Sequence, residues 1–264
     1  MKKTFSFLLL ALLPALSLAQ DFALEQLEKS PRHHEWAEIE YNGRTVHTFV
    51  AYPETSEKAT AVMVIHENRG LTDWVRSFAD QLAAAGYIAV APDLLSGAEG
   101  KTKTSDFVSS DAARSAIYEL DQKQVTADLQ AVQDYAASLP AANGKTVVTG
   151  FCWGGSQTFK FVTNNSEVSA GLVFYGTAPK EASELAKIAV PVYGFYGGDD
   201  NRVNATIPET EKQMQQAGNT YQYKIYPGAG HAYMRRGDDP EGGAENRAAR
   251  DASRERLLNI LANL

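Results

Sequence analysis

The residues with the most chemical potential lie in three short glycine-bearing segments. Gly150-Phe151-Cys152-Trp153-Gly154-Gly155 places the only cysteine of the chain between glycines. A thiolate is a strong nucleophile, and a cysteine set at a sharp turn ahead of a helix gains from the helix N-terminus, which favours negative charge. Glycines on either side would let the turn close without a Cβ in the way. Gly197-Gly198-Asp199-Asp200 offers two carboxylates, and Pro227-Gly228-Ala229-Gly230-His231 offers an imidazole. A nucleophilic thiol needs a base within hydrogen-bond reach, and the base needs an acid to orient it. Each segment also has a plainer reading: a packed thiol in a glycine-rich turn, two turn aspartates, a solvated loop histidine.

The elements around these segments favour the chemical reading. Apolar, β-rich runs are expected as strands over 45–52, 61–65, 87–91, 146–151, 169–175, 190–196 and 221–226. Three of them end at the cysteine, the aspartates and the histidine. Helical spacing covers 73–85, where Trp74, Phe78, Leu82 and Ala85 share a face and Gly86 supplies a stop. It recurs over 125–139, with Leu129, Val132, Tyr135 and Leu139 ahead of Pro140, and over 244–264 as an amphipathic closing helix. Strands alternating with helices imply an α/β fold with a mostly parallel sheet covered on both faces. Ligands of such sheets bind at the carboxyl ends of the strands, where all three groups fall. The glycine, serine, lysine and threonine-rich stretch 95–110 is expected to loop over the sheet, and 237–245 is acidic and glycine-rich. With no repeat and no break in composition, residues 20–264 are expected to form one domain.

The chain order nucleophile, acid, base is that of the α/β-hydrolase fold. The sequence resembles the dienelactone hydrolase family of that fold. The resemblance rests on Val64-Ile65-His66-Glu67-Asn68-Arg69-Gly70, Ala91-Pro92-Asp93-Leu94, the cysteine segment, Gly197-Gly198-Asp199-Asp200 and Gly230-His231-Ala232-Tyr233. It extends from about Thr45 to the closing helix. The resemblance implies Cys152 as nucleophile, His231 as base and Asp200 as orienting acid, with Asp199 as the alternative. It also implies that Glu67 contacts the resting thiol, although pairing with Arg69 would explain a carboxylate there equally well. Backbone N–H groups of Asn68 and Trp153 are the expected oxyanion donors. Arg235, four residues beyond His231, matches a substrate-carboxylate arginine, with Arg236 beside it as a competitor. A second such arginine is expected between Gly97 and Leu120, where Arg114 is the only arginine.

The rest of the chain bounds the function. Its 264 residues carry a net charge of −7 with no basic run, which argues against a nucleic-acid partner. Lys2 and Lys3, the apolar run from Phe5 to Leu16 and the small residues of Ser17-Leu18-Ala19 have the layout of a secretory signal peptide, residues 1–19. The run is shorter than the ~20 apolar residues of a spanning helix. A periplasmic or secreted protein without membrane insertion is expected. His33, His34, His47 and His66 lack metal-ligand spacing, and no phosphate loop or dinucleotide fingerprint stands out, so neither metal nor cofactor is implied. His66 is expected to be packed. The expected substrate is a small ester or lactone. A broad carboxylesterase, a non-catalytic binding protein on the same fold, and a thiol redox protein that would need an external thiol are the competing readings.

Overall fold

The computed structural model describes residues 21–264; the expected signal peptide, residues 1–19, lies outside the described residues. An eight-stranded sheet runs in the order β1-β2-β4-β3-β5-β6-β7-β8. Its strands are β1 (His34–Tyr41), β2 (Arg44–Ala51), β3 (Ala59–Ile65), β4 (Ile88–Pro92), β5 (Ala142–Phe151), β6 (Gly171–Phe174), β7 (Val192–Gly197) and β8 (Tyr221–Tyr226). The pairs β1/β2 and β2/β4 are antiparallel, and the remaining pairs are parallel. The central strands read as unbroken apolar runs because both their faces are covered. In β3, Val62 and Val64 enter one core while Ala61, Met63 and Ile65 enter the other.

Helices α1 (Asp21–Glu28), α2 (Asp73–Ala84) and α10 (Ala244–Ala262) supply the first of these cores. Helices α4 (Gln122–Ser138), α5 (Trp153–Val162) and α8 (Ile207–Gln216) supply the second. Helix α10 buries Ala249, Ser253, Leu257 and Leu261, a four-residue rhythm that marks its inner face. Helices α3 (Ser110–Glu119), α6 (Ala182–Leu185), α7 (Asn201–Asn204) and α9 (Tyr233–Asp238) sit between or beyond the strands. No helix among the described residues is long and apolar enough to cross a membrane.

Several sequence expectations need correction. Strand β1 was not foreseen; His34 belongs to it rather than to a polar stretch. Its pattern His-Glu-Trp-Ala-Glu-Ile-Glu-Tyr buries only Ile39 fully, as suits an edge strand. Helix α2 ends one residue early, leaving Ala85 exposed as its C-cap, with Gly86 at φ +95°. Helix α4 starts three residues earlier than its apolar face, because the Asp121 side chain caps it by accepting from the Lys123 N–H at 2.9 Å. The stretch 95–110 is not structureless. It makes two 3₁₀ turns, and buried Asp93 ties it down by accepting from the Thr104 backbone N–H at 2.6 Å and the Thr104 hydroxyl at 2.7 Å.

Candidate active site

Strand β5 lies beside β3 at the point where the strand order reverses, β4 having been added on one side of β3 and β5 to β8 on the other. Open α/β sheets bind ligands at such a place, at the carboxyl ends of their strands. Cys152 follows β5 directly and has φ 56° and ψ −115°, a strained conformation for a residue with a side chain. The strain is held by close backbone packing. A Cβ on Gly150 would lie 2.2 Å from the Gly154 carbonyl oxygen, and one on Gly154 would lie 2.4 Å from the Ile65 and His66 carbonyl oxygens. Gly155 and Gly176 complete the contact, since a Cβ on Gly155 would come within 2.6 Å of the Phe174 carbonyl oxygen. The Cys152 N–H donates to that Phe174 carbonyl at 3.0 Å, fixing the turn against β6. The sulfur is therefore presented on a rigid support.

His231 and Asp200 reach this sulfur from the ends of β8 and β7. His231 Nε2 lies 3.1 Å from Cys152 Sγ, and His231 Nδ1 lies 2.5 Å from Asp200 Oδ2. Asp200 is buried and its other carboxyl oxygen caps α7 by accepting from the Val203 N–H. Asp199 is exposed and makes no such contact, so the geometry separates the two aspartates. Burial opposes a charged His231 ring, but the hydrogen bonds to Asp200 and Cys152 outweigh it and raise the pKa to about 9. Burial likewise opposes an ionised Asp200, and the His231 contact overcomes it, holding the carboxyl below its usual range. The Tyr175 and His231 rings pack edge to face with centroids 5.0 Å apart.

Glu67 follows β3 and is buried beside the same cavity. Among the described residues it makes no hydrogen bond to the thiol and no ion pair with Arg69. Its Oε2 accepts from Arg235 Nε at 2.9 Å, while Arg69 is exposed. Arg235 is thereby half-buried and fixed, whereas Arg236 is exposed. Glu67 Oε1 and the Tyr175 hydroxyl are buried with no hydrogen-bond partner among the described residues. Burial keeps the Tyr175 hydroxyl protonated far above the usual tyrosine range, so it remains a donor. Tyr175 was missing from the expected site. The signal available was its place at the end of the expected strand 169–175; in the structure it lies just past β6 at φ 41°. Neither the Asn68 nor the Trp153 backbone N–H donates a hydrogen bond among the described residues, so both expected oxyanion donors are unspent.

His66 is packed, as expected. Its Nδ1 donates to the Glu67 carbonyl at 2.7 Å, its Nε2 accepts from the Leu94 N–H at 3.2 Å, and its ring stacks on Trp153. Burial favours the neutral ring that this pattern requires. Arg114 stands on α3 above the cavity, with its guanidinium 5.9 Å from the Tyr118 ring centroid. The Tyr118 hydroxyl accepts from Asn68 Nδ2 at 2.9 Å, linking α3 to the loop after β3. The cavity bounded by these groups has a volume of about 770 Å³.

Known proteins share this architecture. A protein of Salmonella typhimurium provisionally assigned as a carboxymethylenebutenolidase is 32% identical over 211 residues, covering 74% of this chain and 76% of its own. One of Saccharolobus solfataricus with the same provisional assignment is 29% identical, covering 83% of this chain and 95% of its own. A Klebsiella pneumoniae crystal structure provisionally assigned as a dienelactone hydrolase superposes with a TM-score of 0.77 at 23% identity, over 88% of this chain and 99% of that one. Residues 46–264 match the dienelactone hydrolase family as a whole. The chain belongs to that family and is a hydrolase of the α/β-hydrolase fold acting on esters or lactones.

Proposed function

We propose that residues 20–264 form an exported, single-domain enzyme that opens a small ester or lactone through a thioester at Cys152. The observation that carries this reading is the continuous hydrogen-bonded chain from Cys152 Sγ through His231 to Asp200 at a strained strand-to-helix turn. The raised pKa of His231 keeps a proton on the ring at neutral pH. The ring then donates to a thiolate, which attacks the carbonyl carbon. The Asn68 and Trp153 N–H groups receive the developing oxyanion. Collapse of the tetrahedral species breaks the C–O bond, and His231 passes its proton to the departing oxygen. In a lactone that oxygen stays attached to the acyl chain. His231, now neutral, takes a proton from water, which hydrolyses the thioester and returns the thiolate. Arg235 and Arg114 line the cavity as candidates to hold a substrate carboxylate, a task for which guanidinium groups are suited. Glu67 then acts by fixing Arg235.

The test is hydrolysis of p-nitrophenyl acetate, p-nitrophenyl butyrate and a dienelactone by mature protein and Cys152→Ala. Turnover that vanishes in the variant supports the reading, and the preferred substrate separates a lactonase from a broad carboxylesterase. Activity surviving in Cys152→Ala would move the search to another nucleophile. Export is tested separately: the protein recovered from a bacterial periplasm should begin at Gln20.

A further inference from the structure

The cavity carries more positive charge than one carboxylate needs. Five of the twelve arginines in the chain line it: Arg69, Arg114, Arg202, Arg235 and Arg236. The other seven each make a polar contact elsewhere. Arg32, Arg44, Arg76, Arg250 and Arg254 pair with carboxylates, and Arg247 and Arg256 donate to backbone carbonyls. Of the cavity arginines only Arg235 has a carboxylate partner, Glu67, among the described residues. Four guanidinium groups with no hydrogen-bond or ion-pair partner among the described residues thus line one cavity of an acidic molecule. Mutual repulsion disfavours such a cluster unless anions occupy it.

The positions divide the cluster. Arg69 follows β3, one strand from the nucleophile's β5, whereas Arg202 follows β7, two strands away on the other side. At the spacing of adjacent strands the ends of β3 and β7 stand roughly 14 Å apart with β5, which leads into Cys152, between them. On the Arg202 side the cavity is also lined by the hydroxyls of Ser156 and Thr177. These two hydroxyls share one hydrogen bond at 3.1 Å, and Ser156 Oγ also accepts the Thr177 N–H at 2.9 Å. One hydroxyl proton of the pair therefore remains to be donated. Arg202 and Thr177 further border an adjoining groove with Ala178 and Pro179, which leaves room for a longer substrate arm.

We propose that the site takes an ester or lactone with two anionic groups, one on each side of the scissile carbonyl, the second held by Arg202 with Ser156 and Thr177. The proposal rests on the reading of Cys152 as nucleophile. One anion lies toward Arg235 and Arg114, and the other lies across the thiol.

Four esters separate the contributions: phenyl acetate, phenyl hemisuccinate, 4-acetoxybenzoate and 4-carboxyphenyl hemisuccinate. They carry no carboxylate, one on the acyl side, one on the alcohol side, or both. Each kcat/KM is measured at fixed ionic strength and normalised to the ester's own alkaline hydrolysis rate. The doubly charged ester should exceed either singly charged one by at least about tenfold, the scale of one charge-assisted hydrogen bond. Arg202→Gln should remove the gain from one carboxylate and keep the gain from the other. No advantage for the doubly charged ester, or a parallel loss on all four esters in Arg202→Gln, overturns the proposal. The parallel loss would mean that Arg202 acts through Asp200 alone. If none is hydrolysed, protection of Cys152 from iodoacetamide decides: tricarballylate should protect at a concentration at least about tenfold lower than acetate, and equal protection overturns the proposal. Hydrolysis that persists in Cys152→Ala would instead remove the nucleophile reading.

Discussion

At the scale of single residues, the protonation of His231 decides how the site responds to pH. Its pKa lies at about 9 against an ordinary 6.5, so the ring keeps its proton across the neutral range and loses it as pH rises through about 9. A charged ring beside the sulfur stabilises thiolate. Alkylation of Cys152 by iodoacetamide at neutral pH should therefore be slower in His231→Gln than in the native protein. The same assignment sets the alkaline limb of kcat/KM, which should decline near pH 9 as the proton for the leaving oxygen is lost. Asp200 holds the ring from the far side at 2.5 Å. Asp200→Asn should lower kcat/KM by roughly 10²- to 10⁴-fold and move the alkaline limb to lower pH. Asp199→Asn, at an exposed position, should change kcat/KM by less than about twofold. Equal losses in the two variants would sink the assignment of Asp200.

At the scale of elements, the turn after β5 works because three pieces of backbone meet without side chains between them. Gly154→Ala would drive a methyl into the carbonyl oxygens of Ile65 and His66, with no flexible atom able to yield. That variant should lose more than about 2 kcal/mol of stability, read from denaturant unfolding. An unchanged midpoint would show that α5 can retreat from β3. This part of the site was legible in the sequence, because a glycine pattern and an apolar strand are local signals. The parallel strands were legible for the same reason: burial on both faces leaves continuous apolar runs. Strand β1 was not, since an edge strand with one covered face reads as a polar stretch. Contacts between distant segments were also hidden. Glu67 and Arg235 are separated by 168 positions, and nothing local to either says that they pair. Tyr175 falls at a strand end like the three catalytic candidates, but a buried aromatic there reads as core. Asp93 lies in a recognisable segment, yet its work of tying the 95–110 stretch to the sheet depends on Thr104, eleven positions later.

At the scale of the molecule, one flank of the site, that of Arg235, hangs from the layer of helices on one face of the sheet. Helix α9 begins at Tyr233, directly after the loop that carries His231, and contains Arg235. Its far end is anchored by Asp238, which is buried. One carboxyl oxygen accepts from Trp74 Nε1 on α2 at 2.8 Å, and the other accepts from Arg250 on α10 at 2.7 Å and Arg254 at 3.3 Å. The Tyr233 hydroxyl shares a hydrogen bond of 2.7 Å with Ser253 of α10, a second tie between the same helices. The carboxylate thus joins α2, α9 and α10, three elements from opposite ends of the chain. Removing it leaves the fully buried Trp74 N–H without its acceptor and strips the half-buried Arg250 of one of its two carboxylates, Asp251 at 2.7 Å being the other. The cost falls mainly on the tryptophan, which cannot turn to water. Asp238→Ala should lose about 3 kcal/mol, which for a chain of this size lowers Tm by roughly 6–12 °C. Asp238→Asn keeps an acceptor for Trp74 but not the charge for Arg250, and its Tm should fall between the two. The displaced helix also carries Arg235 away from Glu67, so the surviving folded Asp238→Ala should show a raised KM for carboxylate-bearing esters. A Tm within a degree or two of the parent would mean that α9 is held by its apolar packing alone, and the carboxylate would then have no part in positioning the site.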